Sequence, residues 1–270
     1  MTNNQKEPGP TLPAWFSNSD ISWIDKLTVQ CPGVRLRLTQ GFKVPPSTNE
    51  RITLFKDPQF VQRYLELLDG FPVANLVEVG IWDGGSAIFF WNLLKPEKLC
   101  CIELKESAEQ LKAYIERRQL LDRFRLHLGV DQADRERLAG IIAREYAGSP
   151  LDLIIDDASH LYGPSKVTFE ALFPSLREGG LYVLEDWKTN LIFPCHGGGP
   201  TPDSPPLHQL AFELLELSLR HPAVIPSVRC FHNFVLIERG PEPLQPLEFR
   251  LEHYQDKNQP GIKPGSAAVS

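Results

Sequence analysis

From residue 57 onward, apolar runs of strand length alternate with amphipathic helical patterns. Seven runs predict strands: Leu76–Val79, Leu99–Glu103, Phe124–Leu128, Leu151–Ile155, Leu181–Leu184, Val224–Arg229 and Phe231–Glu238. Several of the runs are apolar throughout rather than alternating, which is typical of parallel strands that are covered on both faces. The pattern therefore predicts an α/β fold with a doubly wound, mostly parallel seven-stranded sheet.

The helices that the periodicity predicts fall between these strands. Asp57 followed by Pro58 is a helix-start signal, because Asp caps a helix and Pro suits its first position. The other predicted helices are Gly85–Leu94, Ser107–Arg118, Arg135–Tyr146, Pro164–Leu176 and His208–Leu219. The last two predicted strands are almost contiguous, so they form either one bulged strand or a tight antiparallel pair.

Three segments lie outside this rhythm. Residues 1–56 lack sustained periodicity and are expected to form an irregular N-terminal arm or cap, with a weak strand signal where Val34, Leu36 and Leu38 alternate with polar residues. Phe193–Pro206 is rich in glycine and proline and predicts a loop. Residues 57–255 are then the main domain, and residues 256–270 a flexible tail.

Composition narrows the class of protein. Hydrophobic residues make up 42% of the 270 residues and the net charge is −6, which favours a folded protein that binds neither nucleic acid nor an anionic membrane. The start of the chain lacks the pattern of a secretory signal, and no apolar run is long enough to span a bilayer. The five cysteines include no C-x-x-C pair, so we expect no disulfide scaffold, no structural zinc and a cytoplasmic location.

The first predicted strand runs into a glycine-rich loop that carries two acids, Glu78 and Asp83. Its spacing, G-x-x-x-G-G over Gly80–Gly85, is neither the G-x-G-x-x-G of nicotinamide enzymes nor a P-loop. Two carboxylates repel a pyrophosphate but suit a ligand with an ammonium and a sulfonium group. Glu103 ends the next strand, where an acid binds ribose hydroxyls in dinucleotide folds. This combination favours S-adenosylmethionine over a nicotinamide cofactor.

Each of these residues also has a structural explanation. A glycine turn between a strand and a helix is often only a turn, and Glu103 alone is equally well a solvated charge at a strand end. Taken together, and in this order along the chain, the glycine loop and the acids favour a cofactor site.

At this point the chain resembles the class I S-adenosylmethionine-dependent methyltransferases, from about Leu76 to Ile237. The resemblance implies a Rossmann-like methyltransferase fold, with adenine held after the third strand by Asp131 and Gln132. A turn and a helix cap explain those two residues nearly as well. The expected cofactor contacts are Glu78, Gly80, Asp83, Gly84, Ser86, Glu103, Asp131, Gln132 and Asp156.

Acids also end the fourth and fifth predicted strands. Asp157 follows the fourth strand, and Glu185 and Asp186 follow the fifth. Because adjacent parallel strands end side by side, these three carboxylates should converge and repel one another unless a cation binds. Oxygen ligands without thiolates favour Mg²⁺ or another hard divalent cation. The alternative is a capping Asp beside two solvated acids.

His160 lies three residues after Asp157, in the loop that would face the methyl donor. A histidine with a pKa near neutral can take a proton from an alcohol, so His160 is the candidate general base. Of the other histidines, only His196 is kept as a candidate substrate contact. Trp82, Trp187 and Phe193 are candidate pocket walls, although such aromatic residues are more often plain core.

The run Asp-Asp-x-Ser-His, followed by Leu-Phe-Pro-x-Leu-x-x-Gly-Gly-x-Tyr-Val-x-Glu-Asp, gives a narrower resemblance. It is similar to the metal-dependent sugar O-methyltransferases of macrolide biosynthesis, of the mycinamicin type, and to the related cephalosporin hydroxylase-like group. The resemblance implies Asp157, Glu185 and Asp186 as ligands of Mg²⁺ and His160 as the base. It weakens outside the central sheet, so the N-terminal arm and the loop Phe193–Pro206 are not matched.

The expected function is metal-dependent transfer of a methyl group from S-adenosylmethionine to a hydroxyl of a small polyhydroxylated or glycosylated natural product. Two alternatives stay open: a catechol-type O-methyltransferase, and an S-adenosylmethionine-binding protein that catalyses or supports a non-methylating step. The expected partner is a small hydroxylated molecule. The sequence does not reveal the oligomeric state, for which a homo-oligomer is only the general expectation.

Overall fold

The computed structural model describes residues 21–39, 41, 44–68, 70–192 and 205–254 of the chain. Its strands are β1 (Ser22–Asp25), β2 (Thr28–Cys31), β3 (Val34–Leu38), β4 (Arg51–Leu54), β5 (Asn75–Val79), β6 (Lys98–Glu103), β7 (Phe124–Leu128), β8 (Leu151–Asp156), β9 (Leu176–Glu185), β10 (Val228–Cys230) and β11 (Phe234–Glu238). Its helices are α1 (Pro58–Leu67), α2 (Gly85–Leu94), α3 (Glu109–Arg117), α4 (Arg135–Tyr146), α5 (Tyr162–Leu172), α6 (Thr189–Ile192) and α7 (His208–Arg220).

The central sheet has seven strands in the order β10-β11-β9-β8-β5-β6-β7. Strands β5 to β9 pair in parallel, and β11 pairs antiparallel with both β9 and β10. The predicted mostly parallel, doubly wound sheet is therefore confirmed. Since the chain runs outward from β5 in both directions, the carboxyl end of β5 is the crevice where such sheets bind ligands.

Local signals set several helix ends. The Asp57 carboxylate accepts a hydrogen bond from the Phe60 amide at 2.6 Å and caps α1, as the sequence predicted. Asp134 caps α4 in the same way through the Arg137 amide. By contrast, Pro174 ends α5 early: the chain makes a single 3₁₀ turn at Phe173–Ser175 and then enters β9, which begins well before the predicted strand.

The N-terminal segment is more regular than expected. Residues 22–54 form a four-stranded sheet, in which β1, β2 and β3 are antiparallel and β3 pairs in parallel with β4. The buried side chains of this sheet belong to one hydrophobic core with α1, α2 and one face of the central sheet. The second face is covered by α4, α5 and α7.

Two further predictions concern the end of the chain and its cysteines. The last two strands form an antiparallel pair, β10 with β11, rather than one bulged strand. Within the described part of the chain, Cys31, Cys100, Cys101 and Cys230 form no disulfide. Within the described ranges, no helix has the length and apolar character needed to cross a membrane.

The contact between the N-terminal sheet and α2 depends on Gly85. A Cβ atom at this position would lie 2.1 Å from the carbonyl oxygen of Thr53 and 2.9 Å from the Cα of Leu54, both of them backbone atoms of β4. Only glycine therefore lets β4 pack directly against the start of α2.

We predict that Gly85→Ala lowers the free energy of unfolding by about 1–3 kcal/mol, the usual cost of overpacking. Gly140→Ala is the matched control, since a Cβ on that residue of α4 meets nothing within 4 Å. It should raise stability by about 0.5–1 kcal/mol, because alanine favours a helix over glycine. Urea unfolding measures both changes, and equal stability of the two variants would contradict the packing argument.

Candidate active site

The glycine loop between β5 and α2 passes close to the end of β8. Gly80 has φ +83°, and a Cβ there would lie 2.4 Å from the carbonyl oxygen of Asp157. Gly84, with φ +90°, approaches the Leu111 side chain in the same way. The loop thus needs glycine both for its backbone conformation and for its closeness to the neighbouring loop.

Glu78 is a fully buried acid without a hydrogen-bonding partner. Its side chain is on β5, two residues before the glycine loop, and its exposed fraction is 0%. Among the described residues, neither of its carboxyl oxygens has a hydrogen-bond partner. Burial raises the pKa of Glu78 to about 8, an effect that Ser86 and Lys56 only partly offset. Such an orphaned acid fits a cationic ligand, because a positive charge would satisfy it.

Glu103 holds the backbone of the glycine loop. Its Oε2 accepts hydrogen bonds from the amides of Ile81 and Trp82 at 2.9 and 3.0 Å, and its Oε1 accepts one from the amide of Lys105. The side chain is buried, so the explanation as a solvated charge does not apply. Asp83 instead bonds to the N-terminal segment, accepting from the Ser47 hydroxyl at 2.7 Å.

Asp156 and Gln132 form a buried polar network beside the loop. Asp156 accepts from the Tyr182 hydroxyl at 2.9 Å and from the Gln132 amide at 3.4 Å, and burial raises its pKa to about 7. The Gln132 oxygen accepts from the amide of Ser159. Exposed Asp131 only closes a turn, by accepting from the amide of Ala133. These contacts fix the loops after β7 and β8, and for Asp131 they match the turn that the sequence also allowed.

Asp157, His160 and Asp186 converge at the carboxyl ends of β8 and β9. One ligand atom from each lies within 4.8 Å of the others, a spacing that a single metal ion can span. His160 Nε2 lies 3.9 Å from Asp157 Oδ1 and 4.0 Å from Asp186 Oδ2. Burial and the charge of Asp157 raise the pKa of Asp186. The group combines oxygen donors with an imidazole that can take up a proton.

Glu185 lies outside this group, and its place among the cation ligands stays a prediction. Its Oε2 lies 2.5 Å from Lys56 Nζ, and its Oε1 accepts from the Tyr64 hydroxyl at 2.6 Å. Burial and Asp157 raise the pKa of Glu185, whereas Lys56 and Tyr64 lower it in part. Both oxygens thus face donors inside the protein.

The sequence analysis missed Lys56 and Tyr64, because their partners are more than 100 residues away along the chain. The one available signal was a lysine directly before the helix cap Asp57, at the end of the mostly apolar run from Ile52 to Phe55. A lone cation in an apolar stretch indicates a buried counter-charge.

Three residues of the site adopt left-handed backbone conformations that side chains usually avoid. Trp82, His160 and Asp186 have φ values of 52°, 56° and 49°. The other non-glycine residues with positive φ in the described part of the chain follow helices or cap them. Such conformations cost about 1–3 kcal/mol each and cluster at functional sites, so the strain supports a functional assignment.

The candidate aromatic walls differ in their positions. Trp82 is 47% exposed and stacks on the ammonium of Lys105, so it lies at the rim of the loop. Trp187 donates its ring N–H to the carbonyl of Phe231 and is tied to the sheet. Phe193 and His196 lie outside the described residues.

Comparison with known proteins identifies the central segment. Residues 77–187, from β5 to just past β9, match the family model described as a methyltransferase domain. This segment is similar to methyltransferase domains of the class I fold. This segment holds the glycine loop, Glu103, the polar network of Asp156 and Gln132, and the group of Asp157, His160 and Asp186, whereas Lys56 and Tyr64 precede it.

Curated relatives are similar to part of the chain. Mycinamicin VI 2''-O-methyltransferase from Micromonospora griseorubida is 47% identical over 136 residues, which are 47% of this chain and 30% of the relative. Demethylmacrocin O-methyltransferase from Streptomyces fradiae is 35% identical over 125 residues, or 41% of this chain and 31% of the relative. The chain therefore spans about a third of the length of these relatives.

A solved structure extends the likeness beyond the methyltransferase domain. The MycE methyltransferase of the mycinamycin biosynthetic pathway, in complex with Mg, SAH and mycinamycin VI, superposes with a TM-score of 0.54 and 25% identity. The match covers 69% of this chain and 50% of that one. The predicted Rossmann-like methyltransferase fold is confirmed.

We predict that Glu78 makes the ligand-free protein less stable as the pH rises. Between about pH 4.5 and 8 the unfolded chain ionises this acid while the folded protein keeps it protonated. The folded state then binds more protons, so stability falls with rising pH by up to about 1.4 kcal/mol per unit. Relative to Glu78→Gln, the wild-type protein should therefore lose stability from pH 5 to pH 8. Urea unfolding at several pH values measures this, and a constant difference between the two proteins would contradict it.

Proposed function

We propose that this chain transfers a methyl group from S-adenosylmethionine to a hydroxyl oxygen of a small polyhydroxylated or glycosylated natural product, with the help of Mg²⁺ or another hard divalent cation. The observation that carries the proposal is the convergence of Asp157, His160 and Asp186 beside the glycine loop. The activities that name two relatives, demethylmacrocin O-methyltransferase and mycinamicin VI 2''-O-methyltransferase, support this substrate class.

The residues present fit both groups. The buried, unpartnered carboxyl of Glu78 suits the positive charge of S-adenosylmethionine, and Gly80 and Gly84 let the neighbouring loop lie close to Asp157 and Leu111, where a Cβ would clash. Asp157 and Asp186 supply the oxygen donors that a hard cation prefers. When bound, the cation would polarise an acceptor oxygen and the cofactor would supply the methyl group.

His160 has the position of a general base in this reaction. Its Nε2 would take the proton of the acceptor hydroxyl as that oxygen bonds to the methyl carbon and the carbon–sulfur bond breaks. The carboxylates 3.9 and 4.0 Å away stabilise the imidazolium that results. Glu103 contributes indirectly, because it fixes the glycine loop through the amides of Ile81 and Trp82.

The remaining predictions belong to the same proposal. Residues 57–255 would be the catalytic domain, with residues 1–56 as its cap, although the hydrophobic core runs through that boundary. We expect a small hydroxylated molecule as the partner and a cytoplasmic location. The oligomeric state is left open, with a homo-oligomer as the general expectation.

We predict that the protein forms S-adenosylhomocysteine and labels an acceptor when it is incubated with methyl-labelled S-adenosylmethionine and a panel of macrolide glycosides, simple glycosides and catechols. EDTA should abolish the label and Mg²⁺ should restore it, because the cation orients the acceptor. Label on catechols alone would favour the catechol-type alternative. Binding of S-adenosylmethionine without labelling of any acceptor would favour the non-methylating alternative.

We predict that His160→Ala lowers the rate of methyl transfer by about 10²–10⁴, the usual contribution of a general base. Calorimetry should show that S-adenosylmethionine still binds. His253→Ala, an exposed histidine near the end of the described chain, is the matched control and should keep the wild-type rate. A His160→Ala enzyme with a near-normal rate across the pH range would remove this residue from catalysis.

A further inference from the structure

The candidate base His160 has a backbone conformation that side chains usually avoid. Its φ of 56° lies in the left-handed region, in the loop between the end of β8 and the start of α5. A residue keeps such a conformation only when the surrounding structure fixes the chain around it. The contacts on either side of His160 therefore determine where its ring lies.

On the side that precedes His160, the buried Gln132 holds the loop. The Ser159 amide donates to Gln132 Oε1 at 2.7 Å, and the side-chain amide of Gln132 donates to the Thr168 hydroxyl at 3.0 Å. The Leu161 amide donates to the Ser159 hydroxyl at 3.2 Å. This side of the loop is thus attached to the segment after β7 and, through it, to α5.

On the side that follows His160, α5 begins at Tyr162 without an ordinary cap. Leu161 occupies the cap position and forms no side-chain hydrogen bond with the helix. Instead, the Tyr162 hydroxyl donates to Glu213 of α7 and lies 2.8 and 3.0 Å from its two carboxyl oxygens. Lys166 Nζ lies 3.4 Å from the Tyr162 oxygen and 3.9 Å from Glu213 Oε2. The start of α5 is thereby tied to α7.

We propose that Glu213 is a positioning residue, which through Tyr162 holds the His160 loop in its left-handed conformation. The Glu213 side chain is only 15% exposed, and a hydrogen bond to a carboxylate so far removed from water is of the strong, charge-assisted kind. This inference rests on the proposed role of His160 as general base. It assigns a role to α7, which lies outside the segment that matches the family model.

The first arm of the test measures hydrogen exchange in the full chain by mass spectrometry. Tyr162→Phe and Glu213→Leu should each speed exchange of the amides of residues 159–161 by about tenfold, the scale of one lost hydrogen bond to a charged group. The amides of β8 and α4 should keep their wild-type rates, because the opening is local. Tyr254→Phe is the matched control, since it removes another tyrosine–glutamate hydrogen bond, from Tyr254 to Glu242 at 3.3 Å.

The second arm measures methyl transfer with the acceptor that the labelling experiment identifies. Tyr162→Phe and Glu213→Leu should lower kcat by about ten- to a hundredfold, the scale of a misplaced catalytic group, and leave the KM for S-adenosylmethionine within about threefold. Glu213→Gln keeps an oxygen that accepts from Tyr162 and should restore most of kcat. Combining Tyr162→Phe with Glu213→Leu should cost no more than either change alone, because both remove the same contact. Glu216→Leu, which replaces an exposed acid of the same helix, should keep the wild-type kcat.

Three outcomes would overturn the proposal: wild-type exchange at residues 159–161 in both variants, faster exchange throughout the chain, or faster loop exchange with an unchanged kcat. The second is what a purely structural contact produces. Circular dichroism checks folding, and if Glu213→Leu does not fold, the comparison of Tyr162→Phe with Tyr254→Phe decides alone. The expected exchange pattern in a protein that transfers no methyl group would refute the proposed function alone, since the tie between Glu213 and the loop would still be shown.

Discussion

Convergence of carboxylates at the ends of parallel strands is the constraint on which the rest of this structure depends. The sheet brings six acids from β5, β6, β8 and β9 to one edge, where ionised groups cannot remain close together without compensation. The environments of these acids differ. Glu103 accepts backbone amides, Asp156 accepts a tyrosine hydroxyl and an amide, Glu185 takes a lysine and a tyrosine, and Asp186 stays partly exposed. Glu78 alone is buried without a donor among the described residues.

This difference separates structural acids from acids that are ready for a ligand. An acid whose oxygens already accept good hydrogen bonds gains little from a new partner, whereas an unpartnered acid gains much. By this criterion Glu78 and Asp186 are ready for a ligand, whereas Asp157 already accepts from Lys56 through one of its two oxygens. Asp156 and Glu185 hold the surrounding loops and helices in position.

The sequence was sufficient for those parts of the fold that local signals determine. The bounds of α2, α4 and β7 agree with the predicted ones, since caps, glycines and apolar runs lie within the elements themselves. The four-stranded N-terminal sheet was not predicted, because strands of four or five residues carry little periodicity and depend on pairing with each other. The pairing of Lys56 with Glu185 was out of reach for a similar reason, since 129 residues separate the two.

The close contact between the N-terminal sheet and the glycine loop has a consequence for how such chains can evolve. Ser47 bonds to Asp83, Thr53 touches Gly85 and Lys56 neutralises Glu185, so one short stretch reaches three points of the site. Recombination that replaced this stretch by an unrelated N-terminal segment would also remove Lys56, the buried counter-charge of Glu185. A successful exchange must therefore bring its own buried cation, or replace Glu185 at the same time.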